Sequence, residues 1–258
     1  MHTADDDRTD GVEFIYGRQT IREVLRAGRR RLLALHRAPG LRAADILEEI
    51  MRLAREARAP VRETPKRMLD RFSQSGHHQG LVLEAGPYVY EEWPDFLRRV
   101  TTSVGEPAFV LALDQLHDPQ NVGSLLRTAE TLGVGGVLLS SERAVGITPA
   151  VARASSGAAD FLGIARASSL PDALRELRAA GLRVWGLAAE ADAAPAEKTD
   201  LRGPTALVVG NEGEGLSKPA RRACDGLIRL AMRGRVQSLN AAVAGALALY
   251  ETRRQRAV

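Results

Sequence analysis

The segment VVGNEGEGLS, residues 208–217, places three glycines and two glutamates directly after a short β-branched run. A glycine-rich turn after a strand is typical of loops whose backbone N–H groups bind phosphate. Glu212 and Glu214 would repel such an anion, and the spacing matches neither a dinucleotide-binding loop nor a Gly-Lys-Ser/Thr phosphate loop. The residues therefore favour either a tight strand-to-helix turn or a loop that approaches a ligand without phosphate.

A second polar cluster lies in LDQLHDPQNVGSLLRTAETLGV, residues 113–134. Asp114 ends an apolar strand, and Asn121 can cap the helix that follows. Arg127 lies six residues further along that helix. Taken alone, such residues more often form a helix cap and a solvated arginine than a functional site.

The third segment, IRLAMRGRVQSLNAAVAGALALYE at 228–251, predicts a strand, a loop around Gly234 and a long final helix. Ser238 precedes the apolar run and can act as its N-cap. A serine in that place is usually no more than a cap, so this segment also has an ordinary structural interpretation.

The other chemistry-bearing residues predict no second site. The five histidines and Cys224 lack the spacing of metal ligands, so we expect no bound metal. A single cysteine excludes internal disulfides and fits a reducing cytoplasm. No apolar run approaches the roughly 20 residues that a membrane span needs, and the first residues do not resemble a signal peptide. We therefore expect a cytoplasmic protein without a membrane partner.

Arginine dominates the basic residues of the 258-residue chain: only three of its 36 basic side chains are lysines, and the formal net charge is +4. Arginine stacks on bases and binds phosphates bidentately, which suits nucleic acid, although a GC-rich genome produces the same bias. Residues 13–90 carry 15 basic and 9 acidic side chains. This excess favours a nucleic-acid role for the first third of the chain.

The elements that would position these residues fall into two α/β domains. We expect residues 1–12 to be disordered and 13–86 to form a compact unit, with a helical pattern that starts in EFIYGRQTIREVLRAG and stops at Gly28. Glycine and proline at both ends predict a linker at 87–106. From 107 to 258, continuous apolar strands alternate with helices, which indicates a parallel sheet covered on both faces.

Together, three motifs resemble the SpoU (TrmH-type) family of RNA 2′-O-ribose methyltransferases. They are N-x-G-S-x-x-R-T-A at 121–129, G-N-E-G-E-G-L at 210–216 and S-L-N-A-A-V-A at 238–244, and the resemblance covers about 107–254. YGRQTIREVL near the start of the chain and HHQGLVLEA at the end of the first unit are similar to the family's ribosomal-protein-like substrate-binding domain. The two-domain arrangement resembles most the RlmB-type members, which modify a guanosine of 23S ribosomal RNA.

The resemblance implies a C-terminal α/β domain tied in a SPOUT-type trefoil knot, with a smaller N-terminal α/β RNA-binding domain. It also implies S-adenosylmethionine as methyl donor, a homodimer, RNA rather than DNA as substrate, and no metal. By motif position, it implies functional roles for a set of polar residues: Asn121, Arg127, Glu212, Ser238 and Asn240. It implies cofactor binding by residues of two loops, 210–216 and 228–236, and of the start of the last helix: Gly210, Asn211, Gly213, Gly215, Leu230, Met232, Ser238 and Leu239.

Four positions depart from the pattern of the family. Ala231 stands where many members have proline, and Asn211 stands where RlmB-type members have alanine. Arg233 and Arg235 flank Gly234 where those members carry smaller residues. These changes leave the chemistry in place and bear on which RNA is the target.

Methyl transfer from a sulfonium to a hydroxyl is a direct displacement that requires no metal and no covalent enzyme intermediate. Alignment of the reacting atoms can supply about 7–11 kcal/mol. Arginine is a poor general base because its pKa lies above about 12, so we favour Arg127 as a clamp on the target's phosphate, with proton abstraction by Arg127 as the alternative. Asn121, Ser238 and Asn240 would position the ribose and the cofactor, while Glu212 could bond Asn121 or the ribose.

Two other functions compete with this interpretation. One is the same chemistry on transfer RNA, although such family members often lack the ribosomal-protein-like domain. The other is a non-catalytic RNA-binding or ribosome-assembly protein, in which the set of five polar residues should be eroded. All five are present here. The sequence therefore favours a methyltransferase that acts on ribosomal RNA.

Overall fold

A computed structural model describes residues 11–42, 44–74, 76–102, 105–190, 192–235 and 238–257. Most of the predicted disordered tail, residues 1–10, lies outside this part of the chain. The described residues form two compact units: one runs to Val89 and includes Ile147–Phe161, and the other comprises Tyr90–Gly146 and the residues from Leu162 onward.

The elements follow one another in an α/β order. In chain order they are β1 (Glu13–Tyr16), α1 (Arg18–Ala27), β2 (Leu32–Arg37), α2 (Asp45–Glu56), β3 (Val61–Glu63), α3 (Lys66–Ser73), β4 (Leu81–Ala85), α4 (Trp93–Thr102), β5 (Phe109–Leu113), α5 (Pro119–Thr131), β6 (Gly136–Ser140), α6 (Pro149–Ala154), β7 (Ile164–Ala167), α7 (Leu170–Ala179), β8 (Arg183–Leu187), β9 (Ala194–Pro195), β10 (Thr205–Val209), α8 (Lys218–Ala223), β11 (Gly226–Arg229) and α9 (Ala241–Arg256). Short 3-10 turns cover Ala158–Phe161 and Ala196–Lys198. None of the helices in the described part of the chain is long and apolar enough to cross a bilayer.

The first unit is built on a four-stranded sheet in the order β1-β4-β2-β3. The strands β1 and β2 pair antiparallel with β4, and β3 pairs parallel with β2. Helices α1 and α2 contribute apolar residues at helical spacing to one core, among them Ile21, Val24, Leu47 and Ile50. The predicted compact α/β unit is therefore present in the structure.

The start of this unit differs from the sequence-based expectation. The stretch EFIYGRQTIREVLRAG was predicted to turn helical from its first residues, but Glu13–Tyr16 is a strand paired with β4. Gly17 separates strand from helix with a positive φ of 93°, a conformation that side chains rarely adopt. The helix then begins at Arg18 and ends before Gly28, the stop expected from the sequence, which adopts a left-handed conformation.

A buried ion pair attaches the later segment Ile147–Phe161 to the first unit. The Arg30 Nε donates to Asp160 Oδ1 at 2.7 Å, and both side chains are fully buried. Arg30 also pairs with Glu13, and the Arg29 Nε donates to the Asp160 carbonyl at 3.0 Å. Burial raises the pKa of the Asp160 carboxyl, and the charge of Arg30 opposes that shift. By its contacts this segment belongs to the first compact unit, although it lies within the 107–258 stretch that the sequence assigned to the second domain.

Arg30→Ala is expected to lower the free energy of unfolding of the first unit by about 3–5 kcal/mol, because it leaves the Asp160 carboxyl buried without its cation. Denaturant unfolding followed by circular dichroism measures this loss. The matched control is Arg52→Ala, which removes an exposed i,i+4 pair with Glu56 and should cost no more than about 0.5 kcal/mol. A loss below about 1 kcal/mol for Arg30→Ala would contradict a stabilising role of the buried pair.

The second unit is a seven-stranded sheet in the order β7-β6-β5-β10-β8-β11-β9. The neighbouring strands pair parallel to one another. The strands β5, β6 and β10 are buried at every residue, as expected for a parallel sheet with both faces covered. The predicted parallel α/β architecture is confirmed, and the trefoil knot stays a prediction.

The predicted linker at 87–106 contains helix α4. Phe96 and Val100, four residues apart, are buried in the core of the second unit, and Trp93 packs against the same core. The main chain of Glu91 also forms a parallel bridge with Ala165, next to strand β7. Glycine and proline at the ends of this stretch predicted a linker. The apolar residues of α4, however, lie on one face of the helix and pack into the core of the second unit.

Cys224 lies directly after α8 and serves packing rather than chemistry. Its Sγ donates to the Ala220 carbonyl at 3.3 Å. Burial raises the pKa of the thiol to about 12, so Cys224 stays protonated at neutral pH and is a poor nucleophile. Cys224 is partly buried and packs against the core of the second unit.

Candidate active site

The three motifs meet at the carboxyl edge of the second unit's sheet. Strands β5, β10, β8 and β11 are consecutive neighbours and run parallel, so the segments that follow them emerge at one edge. Those segments carry Asp114 and α5 after β5, the glycine loop 210–217 after β10, and the residues before α9 after β11. Ligands of open parallel sheets bind at this edge, so convergence here is the first sign of a site.

A cavity of about 320 Å³ opens at this edge. It is lined by every residue that the sequence assigned to cofactor binding: Gly210, Asn211, Gly213, Gly215, Leu230, Met232, Ser238 and Leu239. The segment after β8 also lines it, and this wall was missed by the sequence analysis. The stretch from Leu187 to Ala189 is apolar and carries no motif, so only its place between β10 and β11 in the sheet could have indicated it.

The glycine loop folds back on itself before it meets the cavity. Asn211 and Gly215 exchange two backbone hydrogen bonds of 3.1 Å. The Asn211 Oδ1 accepts from the backbone N–H of Gly213 at 3.0 Å and of Glu214 at 2.7 Å. A Cβ on Gly210 would lie 2.2 Å from backbone atoms of Gly215, so no other residue fits there without opening the turn. The loop is thus both a tight turn and a wall of the cavity.

Asp114 fixes the far end of that loop. Its side chain is buried, and its Oδ2 accepts from the backbone N–H of Ser217 at 2.7 Å. The Ser217 hydroxyl in turn accepts from the N–H of Ala220 and caps α8. Asp114, which the sequence placed at the end of a strand, therefore links the loops after β5 and β10.

Asn121, Glu212 and Asn240 form a hydrogen-bonded chain that joins the three motifs. The Asn121 Nδ2 donates to Glu212 Oε1, and the Asn240 Nδ2 donates to Asn121 Oδ1 at 3.0 Å. The Asn240 Oδ1 accepts from the backbone N–H groups of Ala242 and Val243 at the start of α9. Each amide thus has its orientation set by its partners, and side chains far apart in sequence are held as one group.

Two helix caps differ from the sequence-based expectation. Asp118, not Asn121, caps α5: its Oδ1 accepts from the N–H of Gln120 at 3.0 Å, and Pro119 occupies the first helical position. Asn240, not Ser238, caps α9. In both cases another short polar side chain lies closer to the free N–H groups, which leaves Asn121 in the helix and Ser238 on the cavity wall.

Arg127 lies on α5, six residues beyond Asn121, which corresponds to about 9 Å along the helix axis. Its side chain is exposed, and it does not line the cavity. The structure therefore brings together four of the five predicted polar residues at the cavity or its edge, with Arg127 on the exposed surface of the neighbouring helix.

Carboxylates outnumber cations on the cavity wall. Glu190, Glu212 and Glu214 line it, and Arg221 is the single lysine or arginine among its described lining residues. Arg221 pairs with Glu190, and that hydrogen bond lowers the pKa of the Glu190 carboxyl. Neither residue was singled out from the sequence, because an isolated glutamate and an arginine on a short helix carry no motif. The excess of negative charge suits a cationic ligand and opposes an anionic one.

Two family models match the chain. The SpoU rRNA methylase family matches residues 108–250, which include the cavity and the hydrogen-bonded chain. A model of RNA 2′-O ribose methyltransferase substrate-binding domains matches residues 14–91. The first match contains the three motifs at 121–129, 210–216 and 238–244. The second contains the stretches YGRQTIREVL and HHQGLVLEA.

Similar proteins carry the same description. An uncharacterized tRNA/rRNA methyltransferase of Mycolicibacterium vanbaalenii is 39% identical over 249 residues, which cover 96% of this chain and 78% of that protein. Among solved structures, the SpoU methyltransferase AviRb from Streptomyces viridochromogenes in complex with AdoMet has a TM-score of 0.79 at 26% identity, covering 98% of this chain and 94% of that one. The AdoMet-bound rRNA methyltransferase from Sinorhizobium meliloti has a TM-score of 0.77 at 26% identity, covering 94% and 87%. With a family model that spans more than half of its length and a relative of this identity across nearly all of it, the chain belongs to the SpoU rRNA methylase family.

Proposed function

We propose that this chain transfers the methyl group of S-adenosylmethionine to the 2′-hydroxyl of a ribose in RNA. The observation that carries the proposal is the hydrogen-bonded chain of Asn121, Glu212 and Asn240 beside a cavity walled by the glycine loop and the residues before α9. Membership of the SpoU family supports RNA methylation, and two similar structures contain AdoMet.

The donor set of the cavity fits this cofactor. Leu230, Met232 and Leu239 give apolar surface for an adenine ring and a methylene chain, and the glycine loop offers backbone N–H and C=O groups at close range. The sulfonium and the ammonium of the cofactor are cationic, which agrees with the excess of carboxylates on the wall. When bound, S-adenosylmethionine supplies a methyl group that is already electrophilic.

The chain's own residues would then orient the ribose. Glu212 holds the Asn121 amide from one side and Asn240 holds it from the other, so the group is pre-organised before RNA arrives. Ser238 lies on the cavity wall and can position the cofactor or the ribose. We assign to Arg127 the role of a clamp on the target's phosphate, which stabilises negative charge that develops on the ribose oxygen.

The direct test is methyl transfer from labelled S-adenosylmethionine to unmodified RNA, followed by alkaline hydrolysis. Alkali cleaves RNA through the 2′-oxygen, so a 2′-O-methylated position resists cleavage and leaves a labelled dinucleotide. Label recovered on a base, or no incorporation into any RNA, would contradict the proposed reaction.

We further propose that the target is a guanosine of 23S ribosomal RNA, in the cytoplasm, with transfer RNA as the alternative. The substrate-binding match at 14–91 and the basic excess of that region support a structured RNA substrate. Mapping 2′-O-methyl groups in both RNAs from a strain that lacks this protein distinguishes them. Loss of a methyl group from transfer RNA alone would reject the ribosomal target.

Asn240→Asp is expected to lower kcat about 10-fold while leaving the melting temperature within about 2 °C of wild type. Aspartate caps a helix as well as asparagine, so α9 keeps its N-cap, but aspartate cannot donate to Asn121 Oδ1. Single-turnover methylation and thermal unfolding measure the two effects. Full activity of the variant would show that methyl transfer does not need the hydrogen bond between Asn240 and Asn121.

We infer that the protein is a homodimer joined through α9. Val243, Leu247 and Tyr250 are about half exposed, at 48%, 46% and 58%, and their spacing places them on one face of the helix. The other face of α9 packs on α5. The exposed stripe continues from Leu239 on the cavity wall, so a second copy of the chain would cover it next to the site.

Leu247→Glu is expected to convert the dimer to a monomer, because it would bury an unpaired carboxylate in an apolar interface. Sedimentation equilibrium measures the mass of the protein in solution. Val89→Glu introduces the same charge at an exposed valine of the first unit, outside the α9 stripe, and should leave the dimer intact. A Leu247→Glu variant that remains dimeric would exclude the α9 stripe as the interface.

A further inference from the structure

We propose that Arg233 and Arg235 bind phosphates of the RNA strand that flank the target ribose. The inference rests on the proposed function, because it takes RNA as the substrate of the cavity. The segment after β11 that carries the two arginines lies outside the three motifs and would form a second region of contact with RNA. Arg233 and Arg235 would position the RNA backbone and would not touch the reacting atoms.

The two arginines lie on the segment that follows β11, next to residues of the cavity wall. Leu230 and Met232 line the cavity, whereas Ala231, Arg233 and Arg235 are exposed and do not. Leu230 and Met232 thus contribute to the cavity wall, while the two arginines that follow on the same segment lie exposed outside it. The same short segment carries apolar surface toward the cofactor cavity and two cations on its outer side.

Among the described residues, these arginines lack the carboxylate partners that some other arginines of the second unit have. Arg178, Arg221 and Arg253 each form an ion pair with an acidic side chain. Within the described ranges of the chain, Arg233 and Arg235 form no ion pair and no side-chain hydrogen bond. Two like charges only two residues apart repel each other, so an anionic ligand that bridges or contacts both is favoured.

RNA phosphate is the anion that the surroundings favour. The two residues are separated by at most about 7 Å of main chain, so their guanidiniums can reach one phosphate or two neighbouring ones along a strand. Guanidinium binds phosphate bidentately. The carboxylates on the cavity wall, Glu190, Glu212 and Glu214, repel a polyanion that must bring a ribose to the cavity. Two cations on the outer side of the wall offset that repulsion where the strand has to pass.

The double variant Arg233→Gln with Arg235→Gln tests the proposal. Its KM for RNA is expected to rise at least 10-fold, while kcat at saturating RNA and the Kd for S-adenosylmethionine stay within about twofold of wild type. The salt dependence is the decisive readout: each phosphate contact to a single strand contributes a slope of about 0.7 in log affinity against log salt, so two lost contacts lower the slope by about 1.4.

The matched control is Arg98→Gln with Arg175→Gln, which removes the same net charge at two exposed arginines of the second unit that already pair with Asp95 and Asp172. It should leave the KM and the salt slope unchanged. An Arg233/Arg235 variant with wild-type KM and slope would overturn the proposal, and so would a loss of cofactor binding, which would indicate a structural role.

The outcome is separable from that of the proposed function. If the wild-type protein methylates no RNA, the proposed reaction fails, and filter binding of the same RNA still measures the salt slope of both variants. A slope difference in that assay would support the phosphate contact, and equal slopes would reject it.

Discussion

Arg127→Ala is expected to lower kcat for methyl transfer by about 100- to 1,000-fold, equivalent to about 2.7–4 kcal/mol, as for the loss of one pre-organised charge-stabilising donor. The affinity for S-adenosylmethionine should change by less than about twofold, because Arg127 does not line the cavity. Single-turnover kinetics and isothermal titration calorimetry measure the two quantities. Glu130→Ala, which removes an exposed charge from the same helix, is the control and should leave both unchanged.

Arg127→Lys separates the clamp from the alternative in which Arg127 takes the proton. Lysine keeps the positive charge with a pKa near 10.4, so a clamp retains part of the rate and the same pH profile. A base with a lower pKa would shift the pH dependence of kcat toward lower pH. Equal losses of cofactor affinity and of rate in Arg127→Ala would show that neither role is correct.

Gly210→Ala is expected to weaken S-adenosylmethionine binding at least 100-fold. An added Cβ at this buried position would meet the backbone C and O of Gly215 at 2.2 Å, so the turn must open and the bonds between Asn211 and Gly215 are lost. Overpacking of this kind also costs about 1–3 kcal/mol of stability. Calorimetry of cofactor binding and thermal unfolding together measure the effect.

Gly203→Ala is the matched control for that variant. Gly203 lies just before β10, where an added Cβ meets no atom within 4 Å. This substitution should leave cofactor affinity and melting temperature unchanged. Wild-type affinity in Gly210→Ala would mean that the glycine loop does not need its closed turn to bind the cofactor.

The architecture of the second unit was predictable because its signals are local. Strands such as β5 and β10 are continuous apolar runs, and the motifs follow them directly, so a parallel sheet with a site at its carboxyl edge was accessible from sequence. The glycine loop carried two interpretations, a turn and a ligand wall. The structure shows the turn, which Gly210 closes, and it shows that the same loop lines the cavity, while cofactor binding by the loop stays a prediction.

What the sequence could not supply depends on distant pairing. The bond between Asn121 and Glu212 was one of two options for that glutamate, and only the structure identifies the partner. Glu190 and Arg221 belong to no motif, yet they pair on the cavity wall. Helix α4 was missed because charged residues lie between its apolar residues in the sequence, and because glycine and proline occur at both ends of the stretch. Strand β1 was missed because its four residues lie directly before α1 and can be taken for the start of that helix. The sequence does not show that Gly17 adopts a positive φ, which separates the strand from the helix.

The buried pair of Arg30 and Asp160 also determines how the protein can be dissected. A fragment that ends at Val89 contains all but the last two residues of the matched substrate-binding region, 14–91, but lacks Ile147–Phe161. Such a fragment would keep the pair of Arg30 with Glu13 but would present Arg30 without Asp160, and β1 without α6. The first unit therefore cannot be transferred to another protein as one continuous segment. A chimaera with a relative must exchange the stretch up to Val89 and Ile147–Phe161 together.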